Sequence, residues 1–275
     1  VDIKQIFYEE LESIFDDFLK DEEEFLKWIS SDGLETLIDK KVESIFTAQH
    51  MRYENISNPK LAKTIDHTLL KAEATVSEIV SLCNEAKQFE FASVCINPCY
   101  VDLCSKELNA SDVKVCTVIG FPLGANTSHV KKNEAEHAIN QGAGEVDMVI
   151  NIGMLKQKEY NFVIDDITGV ISKAKGKSIL SKVIIETALL TNEEKIKACM
   201  IAKKAGADFV KTSTGFSKGG ATIHDVALMK FIVGDEMFVK ASGGIRTRQD
   251  AISMLMNGAD RIGTSSGIKI INPDL

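Results

Sequence analysis

From about residue 61 to its C-terminus, the chain alternates short apolar runs with helical stretches eight times. The runs span residues 63–67, 92–97, 114–119, 145–151, 181–186, 208–212, 237–241 and 261–264. Short β-branched runs separated by helix-length segments are the pattern of βαβ units, whose strands pair in parallel beneath covering helices. Three echoed turns support this register: Gln141-Gly142-Ala143-Gly144, Lys204-Ala205-Gly206-Ala207-Asp208 and Asn257-Gly258-Ala259-Asp260. Each joins a helix end to a strand, with glycine where the chain turns left-handed. Their glycines are 64 and 52 residues apart, about two units each, which marks strands four, six and eight. Capping boxes at Thr75-Val76-Ser77-Glu78 and Thr191-Asn192-Glu193-Glu194 open two of the helices. Eight units in about 215 residues predict a compact (β/α)8 TIM barrel over residues 61–275. The alternative, an open doubly wound sheet, would want a glycine-rich dinucleotide turn after the first strand, and Ile65-Asp66-His67-Thr68 does not supply one.

The first 60 residues differ in kind. They carry 15 acids and 7 bases, whereas the rest of the chain carries 25 of each, so all the excess negative charge lies there. Phe7, Leu11, Ile14, Phe15, Phe18 and Leu19 share a helical period, and Leu34, Leu37, Ile38, Val42 and Ile45 suggest a second helix. Residues 1–60 therefore read as an acidic helical extension that packs on the main domain or forms a homodimer contact. A regulatory or interaction module is the alternative. Neither the acidic segment nor the neutral remainder suits nucleic acid or an anionic lipid surface. No apolar run reaches the roughly 18 residues of a membrane helix, and the first residues show no secretory signal pattern. Cys83, Cys95, Cys99, Cys104, Cys116 and Cys199 include no CxxC and mostly occupy apolar contexts, which predicts free thiols in a reducing, cytoplasmic compartment. The five histidines are scattered, so neither a metal nor any other cofactor is expected.

In a barrel of this kind, functional groups sit at the C-terminal ends of the strands. There the chain writes one phrase twice. Phe209-Val210-Lys211-Thr212-Ser213-Thr214-Gly215 is echoed by Phe238-Val239-Lys240-Ala241-Ser242-Gly243-Gly244. The two lysines are 29 residues apart, one strand–helix–strand step, so adjacent parallel strands would set them side by side. Two like charges at close range favour loss of one proton, and a neutral lysine is a nucleophile. Asp147, inside the apolar run 145–150, must face a cation or the barrel mouth. Asp66 on strand one is either a structural partner of the lysines or a holder of a substrate hydroxyl. Lys182 opens strand five, so it belongs at the barrel's bottom or interior. Gly215-Phe216-Ser217-Lys218-Gly219-Gly220, Gly243-Gly244-Ile245-Arg246 and Gly263-Thr264-Ser265-Ser266-Gly267 follow strands six, seven and eight, where barrels commonly bind phosphate. The set fits a Schiff-base aldolase for a small phosphorylated sugar. A non-catalytic barrel, or a lysine-dependent aldolase for another phosphosugar, is the competing reading.

Several of these segments, with Val183-Ile184-Ile185-Glu186-Thr187, Arg261-Ile262-Gly263-Thr264-Ser265-Ser266, Ile65-Asp66-His67-Thr68-Leu69-Leu70 and Val118-Ile119-Gly120-Phe121-Pro122-Leu123-Gly124, resemble the deoxyribose-phosphate aldolase family in order over about residues 61–270. The resemblance implies reversible cleavage of 2-deoxyribose 5-phosphate to acetaldehyde and glyceraldehyde 3-phosphate. It assigns the Schiff base to Lys211, the second active lysine to Lys240 and the proton relay to Asp147. The expected substrate-binding set is Asp66, Thr212, Gly215, Gly220, Gly243, Gly244, Ser265 and Ser266.

Overall fold

The structure is a computed structural model that describes Tyr53 and residues 56–273. The helices expected within the first 45 residues lie outside the described residues. Eight parallel strands close into a barrel in sequence order: β1 (Ile65–Leu69), β2 (Ser93–Ile96), β3 (Lys114–Ile119), β4 (Glu145–Val149), β5 (Leu180–Ile184), β6 (Phe209–Lys211), β7 (Phe238–Ser242) and β8 (Arg261–Thr264). All eight expected strands form, with shifted ends. Lys63 caps the short helix Asn58–Ala62, so β1 starts two residues later than its apolar run suggested. Strand β5 stops at Ile184, and Glu186 just beyond it turns left-handed with φ 56°.

Burial on both faces explains the near-continuous apolar character of the strands. Every residue of β2 and β4 is buried. Outward-facing residues meet the helices; in Val76–Phe89 the buried face is Ile79, Leu82, Cys83 and Ala86, a 3–4 residue period. The echoed turns serve the predicted purpose: Gly142, Gly206 and Gly258 all have positive φ, at 106°, 82° and 105°. Their aspartates add a clamp that the pattern did not reveal. Asp208 accepts hydrogen bonds from the Ser181 backbone N–H and hydroxyl, both at 2.7 Å. Asp260 does the same for the Val239 N–H at 2.9 Å. Each carboxylate thus caps the first turn of the neighbouring strand and fixes its register.

Behind β4 lies a second device. Lys131 on helix Ser128–Asn140 and Asp166 on helix Tyr160–Ala174 are fully buried and 2.5 Å apart. The same ammonium donates to the Val149 carbonyl, at the end of β4, at 2.9 Å. Two helices and one strand end are therefore joined at a single cation. Among the described residues no helix is long and apolar enough to cross a membrane.

Removing one partner of a buried pair leaves the other charge without compensation. Asp166→Ala is expected to lower unfolding stability by about 3–5 kcal/mol. The apolar double variant Lys131→Met/Asp166→Leu should recover at least half of that loss. Urea unfolding of the three proteins checks both.

Candidate active site

Strand register brings the doubled phrase together as the sequence implied, with Lys211 directly paired to Lys240 across β6 and β7. The two are not equivalent. Lys211 is the last residue of β6 and borders a cavity, whereas Lys240 lies inside β7 and is fully buried. Between them stands Asp147 of β4. Its Oδ2 accepts from Lys211 Nζ at 2.9 Å and from Lys240 Nζ at 2.7 Å. Its Oδ1 accepts from Lys182 Nζ at 2.8 Å and from the Cys116 thiol at 3.2 Å.

The network continues down the barrel. Lys182 also pairs with Glu145 at 2.5 Å. Lys240 lies 2.5 Å from Asp66 Oδ2, an ion pair outside hydrogen-bond alignment. Arg261 then joins Asp66, through Nε at 2.9 Å, to Glu145 at 3.1 Å. Alternation along each strand explains the layering: Glu145 and Asp147, two apart on β4, both turn inward. Lys182, Glu145, Arg261 and Cys116 were absent from the predicted site. Period two on β3, β4, β5 and β8 is the signal that would have found them.

Burial by itself would raise the Asp147 carboxyl; the Lys182, Lys211 and Lys240 charges more than offset it and hold the group well below its ordinary range. The same contest, won by Arg261, Lys240 and Lys182, depresses Asp66. Burial would lower Lys240 and Lys182, but the carboxylates around them push both above the ordinary lysine range. Burial pushes the Cys116 thiol up, so it stays a neutral donor, while its hydrogen bond draws Cys95 down to about 7 against the effect of burial. Cys95, Cys116 and Asp147 place possible ligand atoms within 4.8 Å of one another. Both Asp147 oxygens already face ammonium groups, and a divalent cation there would have to displace them.

The cavity, about 360 Å³, opens above Lys211 at the C-terminal face. Of the predicted substrate-binding residues, Gly215, Gly243, Gly244 and Ser265 line it. Asp66, Thr212, Gly220 and Ser266 do not border it. The Asp66 carboxylate is held by Lys240 and Arg261, which is the structural alternative for that residue. Thr212 turns between β6 and β7, where its hydroxyl donates to Ser242 O and accepts from Ser242 N–H, both at 3.1 Å. Gly220 packs against the next loop so closely that a Cβ there would stand 2.3 Å from the Gly243 carbonyl oxygen. Ser266 donates its N–H to the Thr264 hydroxyl at 2.9 Å. Thr68, Lys71, Thr214, Phe216 and Arg246 also line the cavity, and none was in the expected substrate-binding set, although Phe216 and Arg246 lie in loops read as phosphate-binding. They sit on or just beyond strand ends, the position that the barrel rule marks.

A closed (β/α)8 barrel with paired lysines over one shared carboxylate, opening onto a small cavity, defines a lysine-dependent aldolase. The chain belongs to the DeoC/LacD family aldolases, whose family model matches residues 60–272. It is 59% identical over 212 residues to the deoxyribose-phosphate aldolase of Clostridium tetani, covering 77% of this chain and 98% of that protein. It is 60% identical over 218 residues to that of Carboxydothermus hydrogenoformans, covering 78% of this chain and 96% of that one. Among solved structures, the tetrameric deoxyribose phosphate aldolase of Aeropyrum pernix superposes with a TM-score of 0.76 at 35% identity, over 82% of this chain and 95% of that chain.

Depressed carboxyls contribute stability that is fully present above their unfolded value of 3.8 and is lost as pH falls through the folded values. The urea midpoint should therefore drop steadily below about pH 4. Asp66→Asn removes one such titration. Its deficit relative to wild type, clear at pH 6, should shrink at pH 3.

Proposed function

We propose that the chain cleaves 2-deoxyribose 5-phosphate reversibly to acetaldehyde and glyceraldehyde 3-phosphate through a Schiff base on Lys211. The observation that carries this reading is the sharing of Asp147 Oδ2 between Lys211 and Lys240. Around it, the bases Lys182, Lys211, Lys240 and Arg261 face the acids Asp66, Asp147 and Glu145. Four buried positive charges against three negative ones leave one in surplus, and burial makes a surplus charge costly. Lys182 and Lys240 each pair with two carboxylates, and Lys211 with one. Lys211 is therefore the lysine with the fewest carboxylate partners, and it is the one that reaches the cavity.

As a neutral amine, Lys211 adds to the open-chain aldehyde carbon C1, and loss of water gives a protonated imine. That imine accepts the electron pair of the C2–C3 bond as the C3 hydroxyl loses its proton. Glyceraldehyde 3-phosphate leaves, and a two-carbon enamine remains on the lysine. Protonation at C2 and hydrolysis release acetaldehyde and restore the amine. Asp147 and Lys240, with water, carry the protons between these steps. For the other end of the substrate, Gly215, Gly243, Gly244 and Ser265, from the loops after β6, β7 and β8, line the cavity together with the cation of Arg246. That placement supports phosphate recognition.

Five of the six cysteines are buried free thiols, which suits a reducing cytoplasm. Self-association as a homodimer is the proposed assembly, and sedimentation decides between it, a monomer and a larger oligomer.

Acetaldehyde with borohydride should trap an adduct on Lys211, and Lys211→Ala should abolish both trapping and turnover. Lys240→Met and Asp147→Asn should still fold, with kcat reduced by about 100-fold or more through loss of the proton relay. Acetaldehyde release from 2-deoxyribose 5-phosphate, followed alongside peptide mapping of the adduct, checks all three. Full trapping in Lys211→Ala would sink the assignment.

A further inference from the structure

Just past β5, Glu186 combines features that a purely structural residue rarely holds together. It is 2% exposed, its backbone lies in the left-handed region at φ 56°, and it is not glycine. L side chains adopt that region rarely, and such strain clusters at functional sites. Its carboxylate faces the segment that follows Lys211. Oε2 accepts from the Thr214 backbone N–H at 3.1 Å and from the Thr214 hydroxyl at 2.5 Å. The Thr214 hydroxyl in turn accepts from the Phe216 N–H at 3.1 Å. The flanking residues extend the hold: Ile185 N–H donates to Lys211 O at 3.0 Å, and Thr187 N–H to Thr212 O at 2.9 Å. The stretch from Lys211 to Phe216 thus hangs from residues 185–187, and Thr214, Gly215 and Phe216 form a wall of the cavity. Oε1 of Glu186 is buried without a partner among the described residues.

An ordinary turn would put glycine at position 186 and relieve the backbone. The chain instead keeps a buried carboxylate there whose donors belong to one loop. We propose that Glu186 is a positioning residue for phosphate recognition. Its carboxylate and the Thr214 hydroxyl take up the Thr214 and Phe216 N–H groups and so fix the loop with Gly215, between them, presenting its N–H to the substrate's phosphate, while the Lys211 side chain is held separately by Asp147. The proposal rests on the aldolase reading above and adds a division of labour to it. Asp147 sets the reacting end of the cavity, and Glu186 sets the phosphate end.

The separation makes the proposal testable. Glu186→Gly removes the carboxylate and accepts the backbone conformation without strain. It should raise KM for 2-deoxyribose 5-phosphate by about 10-fold or more with kcat within about threefold. On unphosphorylated 2-deoxyribose its kcat/KM should stay within about threefold of wild type, and borohydride trapping of acetaldehyde on Lys211 should be undiminished. Glu186→Gln, whose amide oxygen can accept both Thr214 donors, should restore KM to within about threefold. Thr214→Val, cutting the same contact from the loop side, should share the KM signature, and adding Glu186→Gly to it should cause little further loss. A merely structural Glu186 would move thermal stability and both substrates together, or would be neutral in the glycine variant; either result overturns the proposal. Should Glu186→Gly not fold, a wild-type KM in Thr214→Val overturns it equally. A wild-type protein that releases no acetaldehyde overturns the aldolase reading itself, whereas an active wild type with an unmoved Glu186→Gly overturns only the role of Glu186.

Discussion

One carboxylate organises the barrel interior. Asp147 takes three lysine nitrogens from β5, β6 and β7 on its two oxygens, and the thiol of Cys116 from β3 besides. With Asp66, Glu145 and Arg261 it forms a charge network that reaches β1 and β8, so most of the strands contribute. Buried charges are tolerated only when partnered. The apolar shell between strands and helices supplies burial, and the network decides which groups within it stay charged. Structure and reactivity then follow from one arrangement, because the base with the fewest partners is also the one facing the cavity.

Function here is layered along the barrel axis. Arg261, Glu145 and Lys182 lie at the level where the strands begin and brace Asp147 from below. Lys240 sits at the same height as Lys211 in the register yet is sealed by Asp66 and Asp147. Above Lys211 the loops after β6, β7 and β8 carry small residues that approach closely, as Gly220 does to Gly243. The stitching of Thr212 to Ser242 across β6 and β7 keeps the two lysines in register at the point where the regular ladder ends. Rigid strands thus hold the lysines and Asp147, and loops line the cavity above them.

Much of this was legible in the sequence, for identifiable reasons. Short apolar runs between helical stretches marked all eight strands, and the Gly-Ala turns supported their register. Lys211 and Lys240 were visible because a repeated phrase places them on neighbouring strands. Asp147 was visible because an acid within an apolar strand needs a partner. Less legible were groups whose role depends on a partner far along the chain. Lys182 was read as opening its strand, like many solvated lysines, but it is the middle residue of β5, and only pairing with β4 sets it beside Asp147. Lys131 and Asp166 sit on two helices, 35 residues apart, and nothing local shows that both are buried. Glu186 carries no glycine to announce its left-handed backbone. Thr212 and Gly220, read as ligand contacts, lie where they tie the β6 and β7 loops together, and a polar or small residue near a strand end serves either purpose.

The central proposal is a proton count: four bases share three buried acids, and Lys211 reacts as the neutral amine of the set. Neutron diffraction from the deuterium-exchanged protein at neutral pH reads that count directly. The account predicts two deuterons on Lys211 Nζ, three on Lys182 and on Lys240, and an unprotonated Asp147. Three deuterons on Lys211, with the surplus charge met by a Cys95 thiolate instead, would contradict it.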